Sequence, residues 1–475
     1  MQIRKKLFLG SCLVSFVLAG ECVLRAQSTW IGTNDQLASG FAEWTDAVNW
    51  TAGTVPAANT PTLIGATLGR TTISFNATVA PASATARAQN VTIQSSALSH
   101  TFGTTGLLAD PGILNIGNSG QVGFLTNQSA NNQSFVAAVR FASAASTRQI
   151  NNTAAGLMTF SRAITTGTPT TTTTSSLNIS NTSATGGGLT FNGAVSVGDV
   201  SISNTGAGNV SFGSSGALTA TGLTVNNSSA GSVVFSGAVS RGTGALNVTN
   251  NGSGIVSFNG AVNGSGAIST SGTGTVRLGS SGNLNGAVTV GGGGRFDGVG
   301  TVTGAVTLNN ATFAPGSGLN QVGTLSINTT GTGLTANNGS IFEFDLRSSS
   351  NDNINMNNSS LNLFADGSQI TVRANLLDPL TIGSGETVSW NIFTGVFNAG
   401  SIDLAKLTVD TVAGATINGA AATADQFFWS VTGGNTLTLS AVPEPSSMAL
   451  VGLVGVGAAG FARRRMKKDV KKESV

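Results

Sequence analysis

Leu177, Val200, Leu223, Leu246 and Ile268 open five successive stretches of nearly the same pattern, at steps of 23, 23, 23 and 22 residues. A register held this long is the signature of a solenoid, in which each unit packs only on its neighbours. Each unit has three apolar beats. The first is a pair two residues apart: Leu177 and Ile179, Val200 and Ile202, Leu223 and Val225, Leu246 and Val248. The second is another such pair: Leu189 and Phe191, Val210 and Phe212, Val233 and Phe235, Val256 and Phe258. The third is a single aliphatic at Val195, Leu218, Val239 and Val262. A spacing of two puts both members of a pair on one face of a strand. The residues between them are Ser, Thr, Asn and Gly, which suit the opposite face and the turns.

Strands this short bury nothing alone, but coils stacked about 4.8 Å apart do. The pattern predicts an all-β fold, a right-handed parallel β-helix of about 22–23-residue coils with β caps. Phe191, Phe212, Phe235 and Phe258 are expected to form an inward ladder, continued by Leu278. Asn181, Asn204, Asn227 and Asn250, also 23 apart, are expected at the turn after the first strand. There their amides can bond to one another along the stack. A β-propeller needs about 40 residues per blade, and sandwiches rarely hold one register for four steps.

Sixty-five glycines, no tyrosine and 9% charged residues leave the polar load to Ser, Thr and Asn. The net charge of +3 is set by the ends. Residues 1–26 carry four bases against Glu21, and residues 463–475 carry seven against Asp469 and Glu473. The body between, 27–445, therefore holds eleven basic and sixteen acidic residues, with Lys406 its only lysine. Such a body has no basic stripe and is not expected to bind nucleic acid. Cys12 and Cys22 both lie in the N-terminal segment, so the body has neither disulfides nor thiolate metal sites.

Residues 1–26 place Arg4, Lys5 and Lys6 before the apolar run 7–20 and a polar stretch ending at Ala26, the layout of a secretory signal peptide. The other end has three parts. Pro443, Glu444 and Pro445 form a stiff extended motif. Ser446–Ala462 is uncharged and apolar, and Arg463, Arg464 and Arg465 come at once after it. As a helix the apolar part is about 25 Å long, just enough for a bilayer core with tilt or with snorkelling at the basic end, which the arginines would hold at the cytoplasmic side. In this order the three parts resemble the PEP-CTERM sorting signal of Gram-negative bacteria. That resemblance implies recognition of Pro443, Glu444 and Pro445 by an exosortase, a membrane transpeptidase-like cysteine protease. It also implies Arg463, Arg464 and Arg465 as a stop-transfer cluster, and transient residence of the tail in the inner membrane. The ten residues 466–475 after the arginines depart from the family pattern.

Trp44, Thr45, Asp46, Asn49, Trp50, Val55 and Pro56 resemble the Trp-rich opening of secreted bacterial β-helix proteins. Residues 298–316, GVGTVTGAVTLNNATFAPG, resemble the passenger-associated transport repeat of autotransporter adhesins. Residues 342–346 and 352–356 resemble the segment C-terminal to that repeat in the same passengers. The run of alternating strands that would make an autotransporter barrel is missing from the C-terminal part.

A β-helix enzyme needs grouped carboxylates with Arg, Lys or His on one face. Residues 177–290 offer only Asp199, Arg241 and Arg277, in different parts of their units and not expected to gather. The lone histidine, His100, reads as an incidental surface or turn residue. Gly291–Gly294 with Asp297 is a single imperfect copy of a calcium-binding repeat, and Asp345, Asp352 and Asp366 read as solvated loop carboxylates. No catalytic residue, metal site or cofactor is expected.

The expected organisation is a signal peptide at 1–26, an N-terminal cap with irregular β coils at 27–167 and a Thr-rich linker at 168–176. Regular β-helix repeats occupy 177–340 and a β-rich cap 341–440. The sorting signal is 442–465, with its helix at 446–462 and basic tail at 463–475. The functional expectation is an exported, non-enzymatic surface or matrix protein, adhesin-like or associated with exopolysaccharide and biofilm. Its partners would be the secretory translocon, the exosortase, the inner membrane through the tail, and polysaccharide. The alternatives are a glycan-active β-helix enzyme of the lyase or hydrolase kind and a membrane-anchored structural spacer.

Overall fold

The computed structural model describes residues 28–443 apart from 31–41, 44–49, 51–54, 56–60, 66–71, 75–84, 104–111, 118–122, 142–147, 167–174, 319, 364–368, 397 and 412–414. The expected signal peptide, Trp44, Thr45, Asp46 and Asn49, most of the expected Thr-rich linker, Asp366 and the tail from Glu444 onward, with the expected membrane helix and arginine cluster, lie outside the described residues. Among the described residues no helix is long and apolar enough to cross a membrane.

The described chain is a parallel β-helix. Each coil gives one strand to each of three sheets, of 14, 15 and 15 strands. In the coil starting at Leu177 these are Leu177–Asn181, Leu189–Phe191 and Val195–Ser196. Each pairs in register with the next coil: Leu177 with Val200, Phe191 with Phe212, Val195 with Leu218. The three apolar beats of the sequence are thus the inward positions of the three sheets. Alternation of buried and half-buried residues along the strands comes from the period of two.

In-register stacking turns each position of the coil into a column. The phenylalanine column is longer than the regular repeat. It runs through Phe102, Phe135, Phe160, Phe191, Phe212, Phe235 and Phe258, with ring centroids 4.4–5.1 Å apart and planes within 18° of parallel. That separation is the coil spacing itself, so rings in one rotamer stack face to face with no further adjustment. Leu278 continues the column as expected. There the adjoining column changes in the opposite sense. Val256 is followed by Val276, then by Phe296, Phe313 and Phe342, while Phe258 is followed by Leu278 and Gly298. The bulk moves two residues along the strand and the core stays filled.

The asparagine column is also real and also longer. Asn127, Asn152, Asn181, Asn204, Asn227 and Asn250 are buried at the end of the first-sheet strands. Each Nδ2 donates to the Oδ1 of the next: Asn127 to Asn152 (2.9 Å), Asn152 to Asn181 (3.4 Å), Asn181 to Asn204 (2.9 Å), Asn204 to Asn227 (3.1 Å) and Asn227 to Asn250 (3.0 Å). Several donate a second bond to the following turn, as Asn181 does to Gly208 O at 2.9 Å. Glycine is required in that turn: a Cβ on Gly208 would lie 1.8 Å from Gly187 O, and one on Gly231 2.2 Å from Gly208 O. The turns are packed as closely as the strands.

The far end is closed differently. Thr436–Ala441 lies antiparallel between Val388–Thr394 and Phe427–Thr432, so the third sheet ends in a short antiparallel patch. The last first-sheet strand, Ser360–Leu363, is capped by one side chain: Leu361 N–H donates to Asn398 Oδ1 (2.9 Å), and Asn398 Nδ2 donates to Leu361 O (3.0 Å). An amide that occupies both groups of an edge residue blocks further strand addition there.

Removing one rung of the asparagine ladder tests its contribution. Asn204→Ala strips the side-chain acceptor from Asn181 and the donor from Asn227, both buried. The expected cost is about 1–3 kcal/mol, measured as a shift of the urea unfolding midpoint, with amide exchange speeding first in the coils around residues 181–227.

Candidate functional site

Titratable groups gather on the outer face of the second sheet, at its C-terminal end. Register places Arg277 beside Asp297, Glu343 beside Arg373, and Arg373 beside Asp410. Between Asp297 and Glu343 the row is interrupted by Ala314. Arg295, two residues before Asp297, bridges that gap: its Nε lies 3.3 Å from Asp297 and its Nη1 2.8 Å from Glu343. Arg277 makes a two-pronged bond to Asp297, at 2.7 and 2.8 Å. Arg373 contacts Glu343 at 3.3 Å and Asp410 at 3.6 Å. Three cations and three anions therefore form one continuous neutral chain. The Asp297 bond raises the Arg277 guanidinium further above its ordinary value, against the opposing effect of burial.

This row corrects the expectation that Arg277 stands apart: its partner, Asp297, lies one coil beyond the stretch where partners were sought. It also removes the calcium reading of Asp297, whose buried carboxylate is already held by two guanidinium groups. Arg241 and Asp199 do not join the row. The Arg241 guanidinium turns into a corner of the coil and donates to the carbonyls of Gly244, Gly266 and Asn285. Asp199 is exposed.

Asp345 and Asp352 are not solvated loop carboxylates. They are 4% and 1% exposed. Asp352 accepts from Gly323 N–H at 2.6 Å and from Asp345 N–H at 2.8 Å. Asp345 accepts from the Asn375 amide at 2.6 Å and from the backbone of Gln321. Together they fasten the turn at 316–323, which passes close over Arg277, since a Cβ on Gly318 would lie 3.6 Å from its guanidinium. Every oxygen with a named role is taken by an N–H donor, so the pair works as a clasp. Burial pushes Asp352 up to about 8 from 3.8, opposed by the two N–H bonds, and burial also raises Asp345.

His100 corrects a further expectation. It is a buried strand residue in the inner column that continues as Gln133, Met158 and Leu189. Its Nδ1 is 2.8 Å from Leu98 O, and burial lowers its pKa, partly opposed by bonds to Leu98 and Gln133. Among the described residues no group of three or more His, Cys, Asp or Glu is placed to hold a metal ion.

The sorting motif leaves from the cap. Val442 N–H donates to Gln426 O at 2.9 Å, the last hydrogen bond of the strand Thr436–Ala441. Pro443 comes next and has no N–H to continue the ladder. Residues 441–466 match the model of the PEP-CTERM protein-sorting motif. The chain thus carries that signal, which is recognised by exosortase and implies export to the cell surface or the extracellular space. No curated protein matches the chain.

Two outcomes test the charged clasp. Asp297→Ala leaves Arg277 and Arg295 without their buried acceptor and is expected to cost about 3 kcal/mol, while Asp410→Ala, at the exposed end of the row, stays within about 0.5 kcal/mol; urea unfolding of both variants measures this. A raised carboxyl binds its proton more tightly in the folded state, so the Asp352 contribution is full below pH 3.8 and is lost as the pH climbs to about 8. Asp352→Asn is therefore expected to flatten the fall in unfolding free energy between those pH values, leaving the smaller contribution of Asp345.

Proposed function

We propose that this is a non-enzymatic, exported envelope or matrix protein whose β-helix is a long, uncharged, hydrogen-bonding face. In this reading residues 1–26 direct secretion. The tail parks in the inner membrane through the helix 446–462 and Arg463–Arg465 until exosortase acts at Pro443–Pro445. The mature body then works through many weak contacts with polysaccharide, as an adhesin or a biofilm component. The observation that carries the reading is the sorting motif joined directly to the closing cap of a β-helix.

The composition of the outer face supports it. Outward positions of the first sheet read Asn178 and Ser180, Ser201 and Ser203, Thr224 and Asn226, Asn247 and Thr249, and Ser269 and Ser271, coil after coil. Hydroxyls and amides repeating at the coil spacing suit weak polyvalent contact, where avidity rather than any single site sets the strength. The one charged row is neutralised by its own members, and its Asp, Glu and Arg groups are paired with each other in a way that leaves no free acid and base side by side.

Mass spectrometry of the C-terminal peptide in surface, medium and inner-membrane fractions tests the sorting half. The expected result is a mature chain ending near Pro445 outside the cell. Persistence of Ser446–Ala462 on an inner-membrane protein would instead favour the anchored spacer. Purified residues 27–442 should bind, and leave uncut, a panel of bacterial polysaccharides. Production of shortened glycan would establish the enzyme alternative and overturn this one.

A further inference from the structure

Leu98 and Phe428 are the large apolar side chains with the greatest exposure among the described residues, at 46% and 43%. Leu98 lies in the third coil, between the strands Asn90–Ile93 and His100–Phe102, and Phe428 is at the end from which the sorting motif leaves. It sits on Phe427–Thr432, the outermost strand of the third sheet, paired on one side only. Phe427 pairs with Ala441, and Phe428 with Ser440. Phe427 turns inward against Trp390, so Phe428, one residue on, turns outward. Val442, whose N–H donates to Gln426 O, is two rungs away, about 7 Å along the strand.

The distance from there to the apolar segment is short. Only Pro443, Glu444 and Pro445 separate Val442 from Ser446. Fully extended, that stretch reaches at most about 14 Å. When Ser446–Ala462 is in a bilayer, the exit end of the cap has no room to stand off from the surface. Whatever projects from that end meets the lipid headgroups.

We infer that the edge strand Phe427–Thr432, led by Phe428, rests on the surface of the membrane that holds the tail, and leaves it when the motif is cut. This rests on the proposed membrane residence of the tail. The occupant is a lipid surface, because the tether brings a bilayer to this edge before anything else and the projecting group is an aromatic ring, a side chain suited to the boundary between headgroups and acyl chains. The charged groups closest in sequence to this edge, Asp425 and Glu386, are both exposed and acidic, and elsewhere in the cap Asp403 and Asp410 outnumber Lys406, while Arg347 is paired with Asp378. The contact is therefore apolar in origin, indifferent to salt, and suited to a zwitterionic leaflet rather than an anionic one.

The inference gives the cap a second role. It closes the open end of the β-helix, and it holds the body in one orientation while the motif is presented. The same strand spends its life exposed after release, which a single aromatic ring tolerates and a larger apolar patch would not.

The test uses the full chain, with Cys12 and Cys22 replaced by serine, inserted through its own tail into phosphatidylcholine vesicles. A fluorophore is placed at Ser430→Cys, on the same outward side as Phe428, or at Ser271→Cys on the first sheet as a reference. Brominated phosphatidylcholine should quench the label at 430 and spare the one at 271, equally at low and high salt. Phe428→Ser, or a long Gly/Ser segment inserted between Val442 and Pro443, should abolish the quenching while the chain stays with the vesicles. Equal quenching at both positions, or quenching that survives both changes, overturns the inference and leaves the tail reading intact. A chain that does not stay with the vesicles overturns the tail reading, and this inference with it.

Discussion

Everything in this molecule depends on coils stacking in register at one strand spacing. That constraint fixes backbone hydrogen bonding along the axis, and it makes each side chain the neighbour of its own equivalent in the next coil. A position can be kept only by a residue that packs on a copy of itself. Phenylalanine does, because a ring repeated at the coil spacing is already at stacking distance. Asparagine does, because its amide is both donor and acceptor and forms a chain pointing one way through six coils. A carboxylate does not, because its copy repels it.

The last point explains where charge occurs. The coils from 177 to 271, with the most regular register, carry charge only at Asp199 and Arg241. Beyond the regular coils, self-matching gives way to pairing of unlike charges: Arg277 with Asp297, Glu343 with Arg373, and Arg373 with Asp410, while Arg295 reaches both Asp297 and Glu343, the two acidic groups on either side of Ala314. The charged row therefore behaves as one more column of the solenoid, built from unlike members. Stacking supplies two of its cations and all three anions, and Arg295, from the neighbouring outward position, makes it neutral.

The same reasoning shows what was legible in the sequence. The inward pairs from Leu177 to Phe258, the Leu278 continuation and the asparagine column from 181 to 250 could be read because the period there is constant. Asn127, Asn152, Phe102, Phe135 and Phe160 belong to the same columns but were not readable as such, because coils of uneven length lie between them. The Arg277–Asp297 pair escaped for the same reason, since the step across it is shorter than the regular one. Asp352 looks like a loop residue because Ser and Asn surround it, while Asp345, between Phe344 and Leu346, stands at a strand position whose facing is not set by its neighbours. Their burial comes from the turn at 316–323 folding back over them, a contact that no local pattern announces. His100 sits between Ser99 and Thr101, polar residues that read as a turn or surface; its partner Gln133 comes from the next coil.

The ends of a solenoid are where self-matching must stop, and this chain stops it in two ways. On the first sheet Asn398 stands in for a missing strand and uses up the groups an incoming strand would need. On the third sheet, pairing turns antiparallel and the chain leaves through the middle strand of the patch, between Val388–Thr394 and Phe427–Thr432. An exit through a middle strand is held on both sides up to Ala441, and Gln426 O holds Val442. Proline at 443 then ends the hydrogen bonding at a fixed residue, because it has no N–H to offer. Fold and sorting signal thus overlap: Ala441 is both the last residue of the closing strand and the first residue of the matched motif.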